Sequence, residues 1–283
     1  MMQDQLRYEG QPGLRNPSLI IAWNTDAGKL GSEVADYLNS KLKSCYLGDI
    51  EPADFSPLGG VTIEDNLIQF PENKLYVSPE NNLLIFKGYP PSCEWFRYIN
   101  LVIDMAGKYS PIKELYTVGS MIYSGAHTTP RQLIASFNTP ELKQAIEPYG
   151  TVSNLDYQTP LGHRPTINSF FLWAARERDI PGACLWIPVP FYLVNVKDPG
   201  AQSKMLDFFN YRFNLKMDFT DIDKSVSRHN EIIARARTSN PDIDEHISRL
   251  ESNLTLSDSE NKYLVKQMEI LLKNQPGGDT PSF

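Results

Sequence analysis

Cysteine and histidine are scarce in this chain. The three cysteines, Cys45, Cys93 and Cys184, are far apart, odd in number and set in or beside apolar stretches. They read as buried thiols of a reducing compartment, and no CxxC spacing is present for zinc or redox chemistry. Two of the four histidines, His229 and His246, fall on segments that read as exposed helices without metal-ligand spacing, so both are assigned to solvated surface and no metal is expected. Positive charge is in deficit. With 27 Lys and Arg against 34 Asp and Glu, the net charge is −7, a field that repels phosphate backbones and anionic lipid, so nucleic acid is not expected as a partner. No apolar run nears the roughly 18 residues of a membrane span. The opening MMQDQLRYEGQPGL has neither a basic start nor an apolar core, so no signal peptide and no membrane association are expected, and the location is read as cytoplasmic.

A complete nucleotide-binding motif is also missing. The stretch IIAWNTDAGKLGSEVADYLNSKL reads as a strand, a turn and a helix, because an apolar run ends at Asn24 and Leu30, Val34, Tyr37, Leu38 and Leu42 then recur at helical spacing. Free amides at such a helix start attract anions. A Walker loop, however, would need Gly where Trp23 stands and Ser or Thr where Leu30 stands, and the dinucleotide fingerprint would need Gly at Asp26. Gly28 and Gly31 therefore read as residues that let the backbone turn and the helix start close to the sheet. No cofactor is expected.

What is present is an ordinary globular composition, 41% hydrophobic and 22% charged. Strands are expected at 44–50, 83–88, 114–123 and 183–188, with β segments and a hairpin break between 61 and 86. Helices are expected from Trp95 to Ala106, over PELKQAIEPYG and from Thr166 to Arg178. Strands alternating with helices predict a largely parallel, mixed sheet covered on both faces. The helix from Thr166 is apolar on nearly all sides, which predicts burial between two layers. From Pro199 the pattern is helical: 199–213, then helices opening at Thr220, at Asn240-Pro241 with Pro at the first position, and at Ser257 with Glu260 in capping-box spacing. The last two form an apolar-faced pair that covers either the core or a neighbouring subunit. The chain divides into a core domain over 1–236, a helical hairpin over 237–274 and a disordered tail over 275–283.

Four stretches carry a family resemblance: LIIAWNTDAGKLGSEVADYL, FKGYPPSCEWFRYINLVIDMA, YTVGSMIYSGAHTTPRQLIASFNTPEL and PLGHRPTINSFFLWAARERDIPGACLWIPVPFYLVNVKDPGA. Together they resemble the proteasome assembly chaperone 2 family of bacteria and archaea. The resemblance implies a three-layer α/β/α sandwich similar to phosphorylase and hydrolase-like folds, to which the helical pattern at the end of the chain adds a C-terminal helical extension. It also implies homo-oligomers, trimers favoured, and protein partners. Some archaeal members of that family bind proteasomes through a tail ending in a hydrophobic residue, Tyr and any residue, whereas this chain ends Pro281-Ser282-Phe283, so docking by that route is not expected.

Open parallel sheets bind ligands at strand carboxyl ends. Asn24, Thr25 and Asp26 follow the first strand, and His127, Thr128 and Arg131 follow the strand at 114–123. If those strands are neighbours, these six side chains converge on one crevice fit for a small anionic or ribose-bearing ligand, with Asp26 or His127 as general base. The alternative is structural: Asp26 caps the helix, the threonines satisfy loop amides, and Arg131 pairs with Asp26 or another acid. Gly162-His163-Arg164 before the next helix offers a second anion site or merely a capped turn. Trp186, Phe191 and Tyr192, in the proline-rich segment IPVPFYL, are read as leaving the sheet to finish the core or, by preference, to form a subunit interface. No nucleophile and base stand at a recognised spacing, so no catalytic residue is assigned. A non-catalytic scaffold or assembly chaperone is the first expectation. A nucleoside- or nucleotide-binding hydrolase or phosphorylase-like enzyme is the alternative.

Overall fold

The computed structural model describes residues 12–51, 54–55, 62–64, 66–153, 158–163 and 165–273. The turn signals at Pro57 and Gly59-Gly60, Arg164 and the tail expected at 275–283 lie outside the described residues. The chain order is β1 (Ser18–Trp23), α1 (Leu30–Lys41), β2 (Cys45–Asp49), β3 (Thr62–Glu64), β4 (Leu67–Gln69), β5 (Lys74–Ser78), β6 (Leu83–Gly88), α2 (Trp95–Gly107), β7 (Glu114–Tyr123), β8 (Ile134–Phe137), α3 (Pro140–Ile146), α4 (Ile167–Arg176), β9 (Gly182–Pro190), α5 (Pro199–Phe213), α6 (Thr220–Ser239), α7 (Pro241–Glu251) and α8 (Asp258–Lys273).

Seven strands form one mixed sheet in the order β2-β5-β6-β1-β7-β9-β8, while β3 and β4 make a separate two-stranded sheet. β6, β1, β7 and β9 run parallel, and β5 and β8 are antiparallel to their neighbours. The sheet is sandwiched between two helix layers. Along β1, Ile20 and Ala22 join the cluster under α1 and α5 to α8, whereas Leu19, Ile21 and Trp23 join the cluster under α2 and α4. A strand covered on both faces must be apolar at every position, which is why LIIAW shows no alternation.

The turn from β1 into α1 depends on two glycines. Gly28 has φ +68°, a left-handed conformation that costs most side chains energy. At Gly31 the limit is space, since an added Cβ would lie 2.5 Å from the Trp23 carbonyl oxygen and 2.7 Å from its nitrogen. Backbone cannot move aside as a side chain can, so Gly31→Ala should push α1 off the sheet and destabilise by about 2 kcal/mol. Chemical denaturation checks this, and an unchanged midpoint would refute the close packing.

Several expectations need correction. α4 lies in an outer layer with only one face covered: Phe171 is buried, whereas Trp173 is 48% exposed. The prolines of IPVPFYL do not drive the chain out of the sheet. β9 pairs with β7 as far as Pro190, whereas its pairing with β8 stops at Trp186. Beyond that point β9 is an edge strand, and Pro188 and Pro190, sharing one parity, withhold N–H groups only from the open side. α7 and α8 cover the core, since Ile243, Ile247, Leu264 and Met268 join the α1–α5 cluster. The division expected at residue 236 falls inside α6. Of the cysteines, Cys184 alone is fully buried; Cys45 and Cys93 are half-buried, and all three are free thiols. Among the described residues no helix is long and apolar enough to cross a membrane.

Candidate functional site

β1 and β7 are parallel neighbours, so the two expected residue groups do lie on one sheet edge, yet they do not meet. Asp26 caps the short turn at Ala27–Lys29: its Oδ1 accepts from the Ala27 N–H at 3.1 Å and from the Ser120 hydroxyl. Its Oδ2 is buried with no hydrogen-bond partner, and burial raises the carboxyl pKa. Asn24 joins the ladder through its N–H to the Gly88 carbonyl at 2.9 Å, and Thr25 is exposed. No histidine hydrogen-bonds Asp26 or Ser120 among the described residues, so Ser120 has no imidazole base.

Arg131 pairs with Asp198, not with Asp26, and both side chains are nearly buried, 9% and 1% exposed. Asp198 also caps α5, its Oδ1 accepting from the Ala201 N–H at 3.1 Å. Its own N–H reaches the Gly28 carbonyl at 3.0 Å, so this one residue ties α5 to the β1–α1 turn and to the β7–β8 loop. Thr128 donates to Glu251 of α7 at 2.9 Å and so fastens the same loop to the C-terminal helices.

His127 is held by Tyr192. The phenol oxygen accepts from the His127 backbone N–H at 2.6 Å and lies 2.8 Å from Nδ1. The phenol oxygen has a second lone pair and one proton, so it can either accept from Nδ1–H or donate to an unprotonated Nδ1. Burial, with His229 and Arg131 as nearby cations, lowers the His127 pKa to about 4. His229 on α6 is lowered too, by burial first and by Arg131, and its Nε2 is buried without a partner. His127, Thr129, Arg131, Ser203, Lys204 and His229 are among the residues lining an open cleft of about 290 Å³ between the β7–β8 loop, α5 and α6.

The candidate site is therefore the His127–Arg131 half of the expected group joined by Asp198 and His229, with Asn24 to Asp26 apart from it. His229 was legible: Ile222, Val226, His229, Ile233 and Ala236 share one helical stripe, which overturns its assignment to the surface. His246 follows the same rule, buried on α7 against the Tyr263 ring at 5.8 Å. Asp198 before Pro199 has the spacing of a cap. Of the expected interface residues, Tyr192 is 1% exposed and cannot contact a partner, because α8 lies over the turn at 191–193; Trp186 and Phe191 are half-buried. Among the described residues no group of three or more His, Cys, Asp or Glu could hold a metal.

Fold and site together define an α/β/α scaffold whose polar groups at the strand ends are bound largely to one another. The model of the PAC2 family matches residues 19–237, from β1 into α6, and the chain belongs to that family. Solved structures share the fold. A Mycobacterium tuberculosis protein of unknown function is 16% identical with TM-score 0.71, covering 94% of this chain and 97% of that one. A Mycobacterium tuberculosis proteasome-assembly chaperone homologue is 15% identical with TM-score 0.66, covering 81% and 99%. Pyrococcus furiosus PbaB, an archaeal proteasome activator, is 19% identical with TM-score 0.65, covering 82% and 97%. None of the curated proteins matches.

Proposed function

We propose that this chain is a homo-oligomeric, protein-binding scaffold or assembly chaperone rather than an enzyme. The observation that carries the reading is the internal use of the strand-end chemistry. Arg131 is bound by Asp198, Thr128 by Glu251, Ser120 by Asp26 and His127 by Tyr192, so the groups that would attack or activate a substrate hold the chain together instead. Fold relatives described as a proteasome activator and as a proteasome-assembly chaperone homologue supply the partner class, proteasome subunits. The test is to mix the purified chain with isolated proteasome α-type subunits and follow complexes by native mass spectrometry, alongside a turnover assay on nucleosides and esters. Complexes without turnover are expected. Turnover within the ordinary enzyme range of about 1–1000 s⁻¹ would overturn the reading.

A second reading rests on the unpartnered His229 Nε2 beside the 290 Å³ cleft, a volume that suits one small polar molecule such as a nucleoside. A ligand at about 100 times its dissociation constant would stabilise the fold by roughly 2.7 kcal/mol, or roughly 5–10 °C in melting temperature. A thermal-shift screen of nucleosides, phosphate and sugars tests it. On this reading a shift appears and is lost in His229→Leu; absence of any shift removes it.

A further inference from the structure

The cleft between the β7–β8 loop, α5 and α6 holds hydrogen-bond donors that the fold leaves unused. Gly200, Ser203, Lys204 and Asp207 line it from α5, a run of about 10 Å at 1.5 Å per residue. Ser203 and Lys204 are half-buried. Among the described residues the Lys204 ammonium makes no ion pair or hydrogen bond, although its charge acts on Asp207. The Gly200 N–H lies in the first turn of α5, where no carbonyl of the helix can reach it. A Cβ on Gly200 would lie 3.6 Å from the Arg131 Cζ, so the missing side chain leaves room for an atom in contact with the guanidinium. Arg131 gives one of its five N–H groups to Asp198. At the same end His229 comes near enough to feel the charges of Arg131 and Asp198, and its Nε2 is buried without a partner.

We propose that this cleft binds a small phosphomonoester, such as a sugar phosphate. The phosphate lies at the end formed by Gly200, Ser203, Lys204 and His229, and the hydroxyls of the organic part face Asp207 and Asn230. The inference rests on the reading that the cleft takes a small polar molecule, and it narrows that reading to one class. Donor supply is the first argument. Lys204, Ser203, the Gly200 amide and the free N–H groups of Arg131 surround the cleft from α5 and from the β7–β8 loop, while His229 closes it from α6. Donors on several sides suit the three free oxygens of a tetrahedral group better than the two of a planar carboxylate. Such charge-assisted bonds are about twice as strong as neutral ones.

Charge and size decide the rest. The carboxylate of Asp198 is neutralised by its pair with Arg131, so Lys204 is the cation left to meet an anion at that end. Asp207 is exposed and stands one turn further along α5, where an acid accepts from hydroxyls and a second anionic group is repelled. The net charge of −7 disfavours anions over the surface at large, which restricts binding to a place where donors are already gathered. A volume of about 290 Å³ equals that of roughly ten waters. One tetrahedral ion leaves most of it empty, whereas a phosphate carrying a sugar fills it. No Phe, Tyr or Trp is among the lining residues, so a nucleobase finds no large ring to lie against.

Isothermal titration calorimetry of the full chain with glucose 6-phosphate, inorganic phosphate, glucose and adenosine tests the proposal. Glucose 6-phosphate should bind more tightly than inorganic phosphate, and glucose and adenosine should give no binding heat. Lys204→Gln should weaken glucose 6-phosphate by about tenfold or more, the usual loss of one hydrogen bond to a charged group. Gly200→Ala should weaken it to a similar degree by filling the space beside Arg131. Both variants should keep the wild-type melting curve, since Lys204 holds no partner and alanine is the better helix former. Adenosine or glucose that binds without phosphate, and is lost in His229→Leu, overturns the phosphomonoester while leaving the cleft as a small-molecule site. Glucose 6-phosphate that binds no more tightly than inorganic phosphate, or equally well in both variants, also overturns it. No binding heat from any of the four, with no shift in the wider thermal screen, overturns the class and the small-molecule reading together.

Discussion

Asp198→Ala should cost about 3–5 kcal/mol of unfolding free energy, the usual result of removing one member of a buried ion pair. Asp198 is 1% exposed and its partner Arg131 9%, so the guanidinium would be stranded where water reaches it poorly. A second loss comes with the first, because the Asp198 carboxylate also accepts from the Ala201 N–H at the start of α5, and such a cap is worth about 1 kcal/mol. At roughly 2–4 °C per kcal/mol for a domain of this size, melting should fall by about 6–20 °C. Arg131→Met combined with Asp198→Asn should recover part of the loss, since no charge is then buried alone and an amide can still cap the helix. A loss below about 1 kcal/mol in the alanine variant would mean that the pair is solvated. It would also mean that α5 is held to the β7–β8 loop by other contacts.

The fold was more legible than the site, for a physical reason. β1, α1 and their glycines could be read locally: an apolar run, a helical period, and two positions where a side chain would strain or clash. The capping box was equally local, and Glu260 indeed accepts from the Ser257 N–H at 2.6 Å while the Ser257 hydroxyl accepts in return at 3.4 Å. The partner of Arg131 could not be read in this way, because Asp198 lies 67 residues away and reaches it only once the turn after β9 has been fixed against Gly28. Trp173 shows the opposite limit. An all-apolar helix predicts cover on every side, but sequence cannot say whether the cover comes from the same chain. His229 and His246 were misread because their residue type outweighed their position on an apolar stripe.

Lowering the pH from 6.5 to about 4 should remove about 3 kcal/mol of stability through His127 alone. Its pKa falls from 6.5 to about 4 in the folded chain, chiefly by burial and then by the His229 and Arg131 charges, with Glu251 and Asp198 opposing. The unfolded chain therefore takes up a proton near pH 6.5 that the native state refuses until about pH 4. Stability is complete above 6.5 and declines by about 1.4 kcal/mol per pH unit as pH falls through that window. The lowered His229 acts in the same direction. Asp26 opposes both, since its raised pKa means that the native state binds a proton more readily than the unfolded chain. Denaturant titrations at pH 8, 6.5, 5.5 and 4.5 on the wild type and on His127→Gln separate these contributions, because the glutamine amide can still hydrogen-bond the Tyr192 hydroxyl but cannot titrate. The variant should lose close to one proton's worth of slope between pH 6.5 and 4.5. Equal slopes in the two proteins would mean that the native imidazole binds its proton as readily as the unfolded one does. Burial would then not be holding it neutral.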